Sequence, residues 1–285
     1  MSSPTNGVRT EVGRVYLIGA GPGDPKLLTL KAAEALAASD VVVYDYLVNP
    51  EVLAHTRRGA ELIYAGKRAG EHSLSQQAIN RLLIDHARRG CVVARLKGGD
   101  PFIFGRGGEE AEALVEAGIE WEVIPGISSG VAVAAYAGIP LTHRDFASSV
   151  AFITGHETDG KLTGGVDLRS AARADTLVIF MCGGAIARIA SELIAFGRLP
   201  STPIAIVRWG TYKHQEVYTG ALEDIACDAN LGVEVKIEPP AIAIVGDVVS
   251  LQAKLNWFGD ESMRRSMSEL AGSAGGSPAS RGALV

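Results

Sequence analysis

The stretch that decides the fold is Leu96-Lys97-Gly98-Gly99-Asp100-Pro101-Phe102-Ile103-Phe104-Gly105-Arg106-Gly107-Gly108-Glu109-Glu110. An apolar run at residues 91–96 comes before it and predicts a buried strand, and residues 109–117 predict a helix. Glycines crowd the turn between them, and glycine lets a ligand approach the bare backbone. A turn of this kind at the carboxyl end of a strand is where an open α/β sheet binds ligands. The stretch predicts a binding turn, with a long structural turn as the alternative.

Strands and helices alternate on both sides of this stretch. Residues 14–19 predict the first strand and residues 241–245 the last, with glycine turns after several of the strands in each half. This alternation predicts an α/β protein with two α/β domains and a ligand cleft between them. The predicted divisions are a disordered N-terminus (1–13), an N-terminal domain (14–142), a C-terminal domain (143–258) and a disordered low-complexity tail (259–285).

The first glycine turn, Gly19-Ala20-Gly21-Pro22-Gly23-Asp24-Pro25, is similar to a dinucleotide-binding fingerprint but departs from it. Asp24 stands where the fingerprint needs a third glycine. Pro22 and Pro25 lack the backbone N–H groups that would hold a pyrophosphate. The turn therefore favours a ligand without phosphates, and it disfavours a dinucleotide-dependent oxidoreductase, which is one alternative function.

Composition narrows the class of protein. The chain has 285 residues, of which 47% are hydrophobic and 21% charged, as is usual for a soluble globular protein. The net charge of −5 argues against broad nucleic-acid binding. Three cysteines without a CxxC pair indicate a reducing, cytoplasmic setting. We expect neither a signal peptide nor a membrane-spanning segment.

Several catalytic motifs are missing from the sequence. There is no HExxH motif, EF-hand loop, GxSxG elbow or phosphate-binding GxxxxGK[ST] loop, and the histidines are scattered. We therefore expect no metal site. The pattern favours chemistry in which a reactive cosubstrate supplies the driving force and the protein positions it. A small-molecule-binding protein without catalytic activity is the alternative from another class.

Five motifs resemble the tetrapyrrole methylase family, in the family's order and over roughly residues 14–258: Val15–Pro25, Leu96–Glu110, Pro125–Ser129, Gly138–Arg144 and Thr154–His156. The resemblance implies two α/β domains, a homodimer and S-adenosyl-L-methionine bound in the cleft. It also implies methyl transfer to C2 and C7 of uroporphyrinogen III, giving precorrin-2 by way of precorrin-1. A methylase of the same fold with a later corrin-ring precursor, an RNA or a protein as substrate is the alternative.

The resemblance also implies which residues contact the cosubstrate. They are Pro22, Gly98, Gly99, Asp100, Ile103, Ser128, Ser129, Met181, Gly210 and Ala241. Asp100 is expected to accept a hydrogen bond from the methionine amino group or the ribose. Met181 and the glycine turns are expected to pack against the adenosine.

A carboxylate-rich tetrapyrrole needs cations to hold it. The candidates on predicted loops are Lys67, Arg68, Lys97, Arg106, His143 and Arg144. Asp45, at the carboxyl end of a predicted strand, is the candidate catalytic base. The sequence departs from the family at Tyr46, where an arginine is usual, and mildly at Ser128-Ser129.

Overall fold

The computed structural model describes residues 12–66, 74–155, 165–230, 237–259 and 264–267. The chain divides into two compact units, Met1–Ser129 and Gly130–Val285. This division falls earlier than the boundary after Thr142 that the sequence predicts. The reason lies in the apolar helix Ser129–Tyr136, whose residues Val133 and Ala134 belong to the hydrophobic core of the second unit.

The first unit contains a five-stranded parallel sheet with the order β3-β2-β4-β1-β5. Its strands are β1 (Arg14–Gly19), β2 (Val41–Tyr44), β3 (Glu61–Tyr64), β4 (Val93–Lys97) and β5 (Glu120–Ile124). Its helices are α1 (Leu30–Ala38), α2 (Gln76–Arg88) and α3 (Gly107–Glu116), with α4 (Ser129–Tyr136) beginning at its last residue. Short 3-10 helices cover Pro25–Leu27 and Pro50–His55.

Side-chain caps fix where these helices begin. The hydroxyl of Thr29 accepts a hydrogen bond from the Ala32 amide at the start of α1. Ser75 does the same for the Ala78 amide at the start of α2. Each hydroxyl satisfies an amide that the first helical turn would otherwise leave without a partner.

Strand β4 lies in the middle of this sheet, and its two faces belong to different cores. Val93 packs with residues of α2 and α3, whereas Ala94 and Leu96 pack with residues of α1. Because side chains alternate along a strand, Arg95 and Lys97 point to the α2 and α3 face with Val93. Two charged side chains therefore enter the interior of the first unit.

The second unit contains a six-stranded mixed sheet with the order β11-β9-β8-β10-β7-β6. Its strands are β6 (Val150–Thr154), β7 (Thr176–Phe180), β8 (Pro203–Arg208), β9 (Glu216–Ala221), β10 (Ala241–Val245) and β11 (Arg264–Ser266). Strand β10 runs antiparallel to β7 and β8, and β8 runs antiparallel to β9. The remaining elements are α5 (Leu168–Ala171), α6 (Ile186–Ala195), α7 (Leu222–Asn230), α8 (Gln252–Leu255) and 3-10 helices at Gly183–Ala185 and Asp247–Leu251.

Strand β11 corrects the prediction that residues 259–285 are wholly disordered. It pairs in parallel with β9, and the next residue, Met267, is 5% exposed. A three-residue strand shows no hydrophobic alternation in the sequence, so its formation depends on the backbone groups that β9 offers. As a result β9 has a neighbour on each side, β8 and β11.

The predicted fold class is confirmed at the level of two α/β units, one with a parallel and one with a mixed sheet. Within the described ranges, no helix has both the length and the hydropathy needed to cross a bilayer.

Candidate functional site

Three glycine-containing turns of the first unit meet backbone to backbone at the carboxyl end of the parallel sheet. The amide of Gly99 donates to the Gly21 carbonyl at 2.7 Å, and the reverse bond measures 3.2 Å. A Cβ atom on Gly126 would lie 2.3 Å from the Gly99 carbonyl oxygen, and one on Gly19 would lie 2.4 Å from the Gly126 nitrogen. Gly19 and Gly126 are thus required for close packing of the turns.

Asp100 links these turns. Its Oδ1 accepts a hydrogen bond from the Phe102 amide at 2.8 Å, and its Oδ2 accepts one from the Gly126 amide at 3.1 Å. A carboxylate oxygen has room for a second donor, so each oxygen can still accept a bond from a ligand. Asp100 therefore shapes the turn and keeps the acceptor capacity that the sequence analysis predicts for it.

Backbone strain marks the predicted binding turns in each unit. In the turn after β4, Phe104 and Arg106 have φ values of 52° and 60°. In the second unit, Met181, Trp209 and Thr211 have φ values of 52°, 48° and 71°, directly after β7 and β8. Non-glycine residues in this left-handed region cost on the order of 1–3 kcal/mol each and concentrate at functional sites. The strained residues therefore lie in the turns named from the sequence, and a binding role for those turns stays a prediction.

The other predicted cosubstrate residues lie at the ends of elements. Ala241 begins β10, Ser129 begins α4, and Ser128 immediately precedes it. Pro22, Gly98 and Ile103 lie in the two glycine-rich turns of the first unit, and Met181 is half exposed after β7. At Gly210 a Cβ atom would lie 2.5 Å from the Val133 side chain, so this glycine is required for packing against α4.

A group of four charged side chains, here called the buried charge cluster, lies beside these turns in the first unit. It consists of Asp45, Arg95, Lys97 and Glu110. Arg95 Nη2 lies 2.7 Å and 2.9 Å from the two carboxylate oxygens of Asp45, and Arg95 Nε lies 3.0 Å from Glu110 Oε1. Lys97 Nζ lies 2.9 Å from the same Glu110 oxygen and 3.8 Å from Asp45 Oδ2. The cluster pairs two cations with two carboxylates.

Burial differs sharply within this cluster. The side chains of Arg95, Lys97 and Glu110 are 2%, 4% and 0% exposed, whereas that of Asp45 is 28% exposed. Asp45 is therefore the member of the cluster that a molecule in solution reaches most directly.

The cluster also shifts the protonation of its buried members. Burial alone would raise the pKa of Glu110, but the charges of Arg95 and Lys97 hold it below its usual value. Burial, and after it the charge of Arg95, lower the pKa of Lys97. Gln76 adds a neutral hydrogen bond of 3.1 Å to Glu110.

The structure corrects one predicted substrate contact. Lys97 is the last residue of β4 and is buried against Glu110, so it does not lie on a loop as the sequence analysis expects. The strand extends one residue further than predicted because Lys97 still pairs with Gly19 of β1.

The other predicted substrate cations lie at turns. Arg106 precedes α3 and forms an ion pair with Glu109, with 2.6 Å between Nη2 and Oε2. His143 Nδ1 accepts a hydrogen bond from the Asp145 amide at 3.1 Å, and Arg144 beside it is exposed. Lys67, Arg68 and the motif residue His156 lie outside the described residues.

Arg95 and Glu110 are absent from the residues that the sequence analysis selects. A signal for Arg95 exists, because a charged residue inside an apolar strand of a parallel sheet must find a buried partner. The identity of that partner depends on the fold, since Arg95 and Asp45 are 50 residues apart. Within the described part of the chain, no group of three or more His, Cys, Asp or Glu side chains could hold a metal ion.

Comparison with known proteins identifies the family. A family model described as "Tetrapyrrole (Corrin/Porphyrin) Methylases" matches residues 14–226. The chain belongs to the tetrapyrrole methylase family. The resemblance carried by the sequence motifs is therefore confirmed.

Two curated relatives of this chain differ in length. A uroporphyrinogen-III C-methyltransferase from Priestia megaterium is 48% identical over 240 residues, covering 84% of this chain and 99% of the relative. A siroheme synthase from Pseudomonas putida is 52% identical over 247 residues, covering 86% of this chain but 52% of the relative. The chain thus spans about half the length of the siroheme synthases that it matches.

Solved structures agree with this assignment. The crystal structure of uroporphyrin-III C-methyl transferase from Thermus thermophilus complexed with S-adenyl homocysteine superposes with a TM-score of 0.71 at 43% identity. The matched region covers 83% of this chain and 93% of the Thermus chain.

Proposed function

We propose that this chain is an S-adenosyl-L-methionine-dependent C-methyltransferase that methylates C2 and C7 of uroporphyrinogen III. The product would be precorrin-2, formed by way of precorrin-1, for sirohaem or cobalamin synthesis. The observation that carries the proposal is the 48% identity to a uroporphyrinogen-III C-methyltransferase of which the chain covers 99%. The Thermus relative, solved with S-adenyl homocysteine, supports the choice of cosubstrate.

The proposed cosubstrate-binding residues come from the strained and glycine-rich turns of each unit. In the first unit they are Pro22, Gly98, Gly99, Asp100, Ile103, Ser128 and Ser129, and in the second Met181, Gly210 and Ala241. Asp100 suits this role because its two oxygens are fixed by backbone amides and still have lone pairs to offer. The turns fit a ligand that hydrogen-bonds to backbone and stacks on apolar side chains, as an adenosine does.

When bound, S-adenosylmethionine supplies the methyl group: an electron-rich pyrrole carbon bonds to it, and the sulfur–carbon electron pair leaves with S-adenosylhomocysteine. This chain has to align the reactants and take up the proton that the methylated macrocycle then loses. Asp45 is the proposed proton acceptor, as a partly exposed carboxylate at the carboxyl end of β2. Arg106, His143 and Arg144, together with Lys67 and Arg68, are the proposed contacts for the substrate carboxylates.

Lys97 has a different part in this proposal from the one its sequence position implies. Its ammonium group lies against Glu110 in the interior, so it has no free face for a substrate carboxylate. We assign it to the buried charge cluster.

A homodimer, a cytoplasmic location and the absence of metal, nucleic acid and membrane partners complete the proposal. They rest on the family resemblance, the cysteine pattern and the net charge of −5. Sedimentation analysis of the purified chain tests the homodimer. Metal analysis of the active enzyme tests the absence of metal.

The function is tested by anaerobic incubation of the purified chain with methyl-labelled S-adenosylmethionine and uroporphyrinogen III. Mass spectrometry then counts the methyl groups in the tetrapyrrole. We expect two labelled methyl groups per macrocycle. A single methyl group would indicate an enzyme that stops at precorrin-1 and would direct attention to Tyr46. Cosubstrate binding without transfer would contradict the proposed substrate and favour another methylase of this fold.

A further inference from the structure

Each of the three guanidinium nitrogens of Arg95 has a partner. Its Nε lies 3.0 Å from Glu110 Oε1, and its Nη1 lies 3.4 Å from the carbonyl oxygen of Val43 on the neighbouring strand. Its Nη2 contacts both oxygens of Asp45. A planar guanidinium bound in this way has little freedom to rotate, so its position fixes that of the Asp45 carboxylate.

The cost of burying this group indicates that it does more than hold the sheet together. Removing charged side chains from water is costly, and apolar side chains of similar volume stabilise a core equally well or better. Glu110 balances only one of the two buried cations, Arg95 and Lys97, so the second positive charge is left for Asp45. Arg95 Nη2 contacts Asp45, the carboxylate of the cluster that is partly exposed.

We propose that Arg95, anchored by Glu110, is a positioning residue that holds the carboxylate of Asp45 in place for methyl transfer. The inference rests on the proposed function, in which Asp45 takes up the proton from the methylated macrocycle. Arg95 itself is 2% exposed and does not contact the substrate, so it acts through Asp45. Its removal leaves Asp45 present but free to adopt other rotamers.

The test is a double-mutant cycle between Arg95→Gln and Asp45→Asn, measured as kcat for labelled methyl transfer and as the Kd of S-adenosylmethionine. We expect Arg95→Gln to lower kcat by about 10- to 100-fold with the Kd unchanged, because misplacement of a catalytic group by about 1 Å can cost 100-fold. We expect the double variant to be no slower than Asp45→Asn, since both changes remove the same function. Losses that multiply would overturn the inference.

The matched control is Arg57→Gln. Arg57 forms an ion pair with Asp40 at the opposite end of β2, with 2.9 Å between Nη2 and Oδ1. This control removes the same charge from the partner of the aspartate at the other end of β2, and we expect kcat to stay at the wild-type value. An equal loss of kcat in Arg57→Gln would point to a general effect of ion pairs on the fold and would overturn the inference.

Loss of folding is handled by a second variant. Arg95→Gln leaves Glu110 paired with Lys97, and Arg95→Lys also keeps the buried positive charge but lacks the planar guanidinium that joins Glu110 to Asp45. We expect the same loss of kcat in Arg95→Lys as in Arg95→Gln, and wild-type kcat in it would contradict a positioning role. If the wild-type chain transfers no methyl group to uroporphyrinogen III, the proposed function fails, and this inference fails with it. If the wild type is active and the losses multiply, the inference alone fails.

Discussion

The two ends of strand β2 carry the same residue type in different surroundings. Asp40 immediately precedes the strand, where its Oδ2 accepts a 2.8 Å hydrogen bond from the Val92 amide and its Oδ1 pairs with Arg57, which is 46% exposed. Asp45 immediately follows the strand and pairs with Arg95, which is 2% exposed. Asp40 therefore has a surface counter-ion, and Asp45 has an interior one.

The difference shows how position on the sheet sets the surroundings of an aspartate. At the amino end of β2, the Asp40 carboxylate bonds to the Val92 amide before β4 and pairs with a half-exposed arginine. At the carboxyl end, where the loops that bind ligands gather, the carboxylate is held by a cation that is itself fixed in the core. The counter-ion's burial, more than the aspartate itself, distinguishes the two sites.

Neutralising Asp45 and Asp40 in turn should have very different effects on methyl transfer. We expect Asp45→Asn to lower kcat by about 100-fold or more, because an amide cannot take up the proton, while S-adenosylmethionine binds as before. Initial rates with labelled cosubstrate, together with calorimetric titration, separate the two quantities. We expect Asp40→Asn to retain kcat within about twofold. Equal rates for the two variants would remove Asp45 from the mechanism.

Two adjacent glutamates on α3 give the same contrast in stability. Glu110 lies in the buried charge cluster, and Glu109 pairs with Arg106 at the surface. We expect Glu110→Gln to lower the free energy of unfolding by about 3 kcal/mol, because it leaves buried cations without their counter-ion. We expect Glu109→Gln to lower it by less than about 1 kcal/mol. Urea unfolding at pH 7 measures both, and similar losses would contradict the importance of burial.

The lowered pKa of Glu110 predicts that the free energy of unfolding depends on pH. The pKa of Glu110 is lower in the folded protein than its ordinary value of 4.5, so its ionisation stabilises the fold above that value. This contribution is lost as the pH falls through the folded pKa. We expect the stability difference between wild type and Glu110→Gln to be largest at neutral pH and to shrink below about pH 4. A difference that grows on acidification would show that the pKa is shifted in the other direction.

Asp100 tests whether the glycine turns belong to the functional end of the sheet. We expect Asp100→Ala to weaken S-adenosylmethionine binding by about 10- to 100-fold, because hydrogen bonds to a charged group contribute about 1.5–3 kcal/mol. The matched control is Asp167→Ala, which removes another aspartate that accepts a backbone hydrogen bond, in this case from the Ser170 amide at 3.1 Å. Calorimetric titration of both variants measures the Kd of S-adenosylmethionine. An unchanged Kd in Asp100→Ala would show that Asp100 does not bind the cosubstrate.

The smallest expected effect is on the ion pair between Arg57 and Asp40. Arg57→Gln removes a half-exposed partner of Asp40, and we expect a loss in the free energy of unfolding of about 0–1 kcal/mol. Thermal and urea unfolding measure it. A loss as large as that of Glu110→Gln would show that the amino end of β2 is anchored as firmly as the carboxyl end.

Most of the strand positions could be predicted from the sequence because they depend on local pattern. The predicted bounds of Arg14–Gly19, Glu61–Tyr64 and Ala241–Val245 agree with the structure, since each is a short apolar run between turn residues. Strand β11 could not be predicted, because it depends on pairing with β9 and has no apolar pattern of its own.

The site was predictable as a set of turns but not as a set of contacts. The glycines of the stretch after β4 mark a binding turn by their number alone, yet only the fold shows that Gly19 and Gly126 must be glycine for close packing. The buried charge cluster joins residues from β4, α3 and the end of β2, which are far apart in the chain. The sequence predicts a loop at Lys97 because two glycines follow it, whereas in the structure Lys97 is paired with Glu110 in the interior.

A crystal structure of the chain with S-adenosylhomocysteine tests directly whether the cosubstrate binds at the carboxyl end of the parallel sheet. We expect the ligand to contact Pro22 and the Gly98–Asp100 turn, at the carboxyl end of the parallel sheet and on the Asp45 side of β2. Ligand bound at the amino end of that sheet, near Asp40, or away from both glycine-rich turns of the first unit, would contradict this expectation.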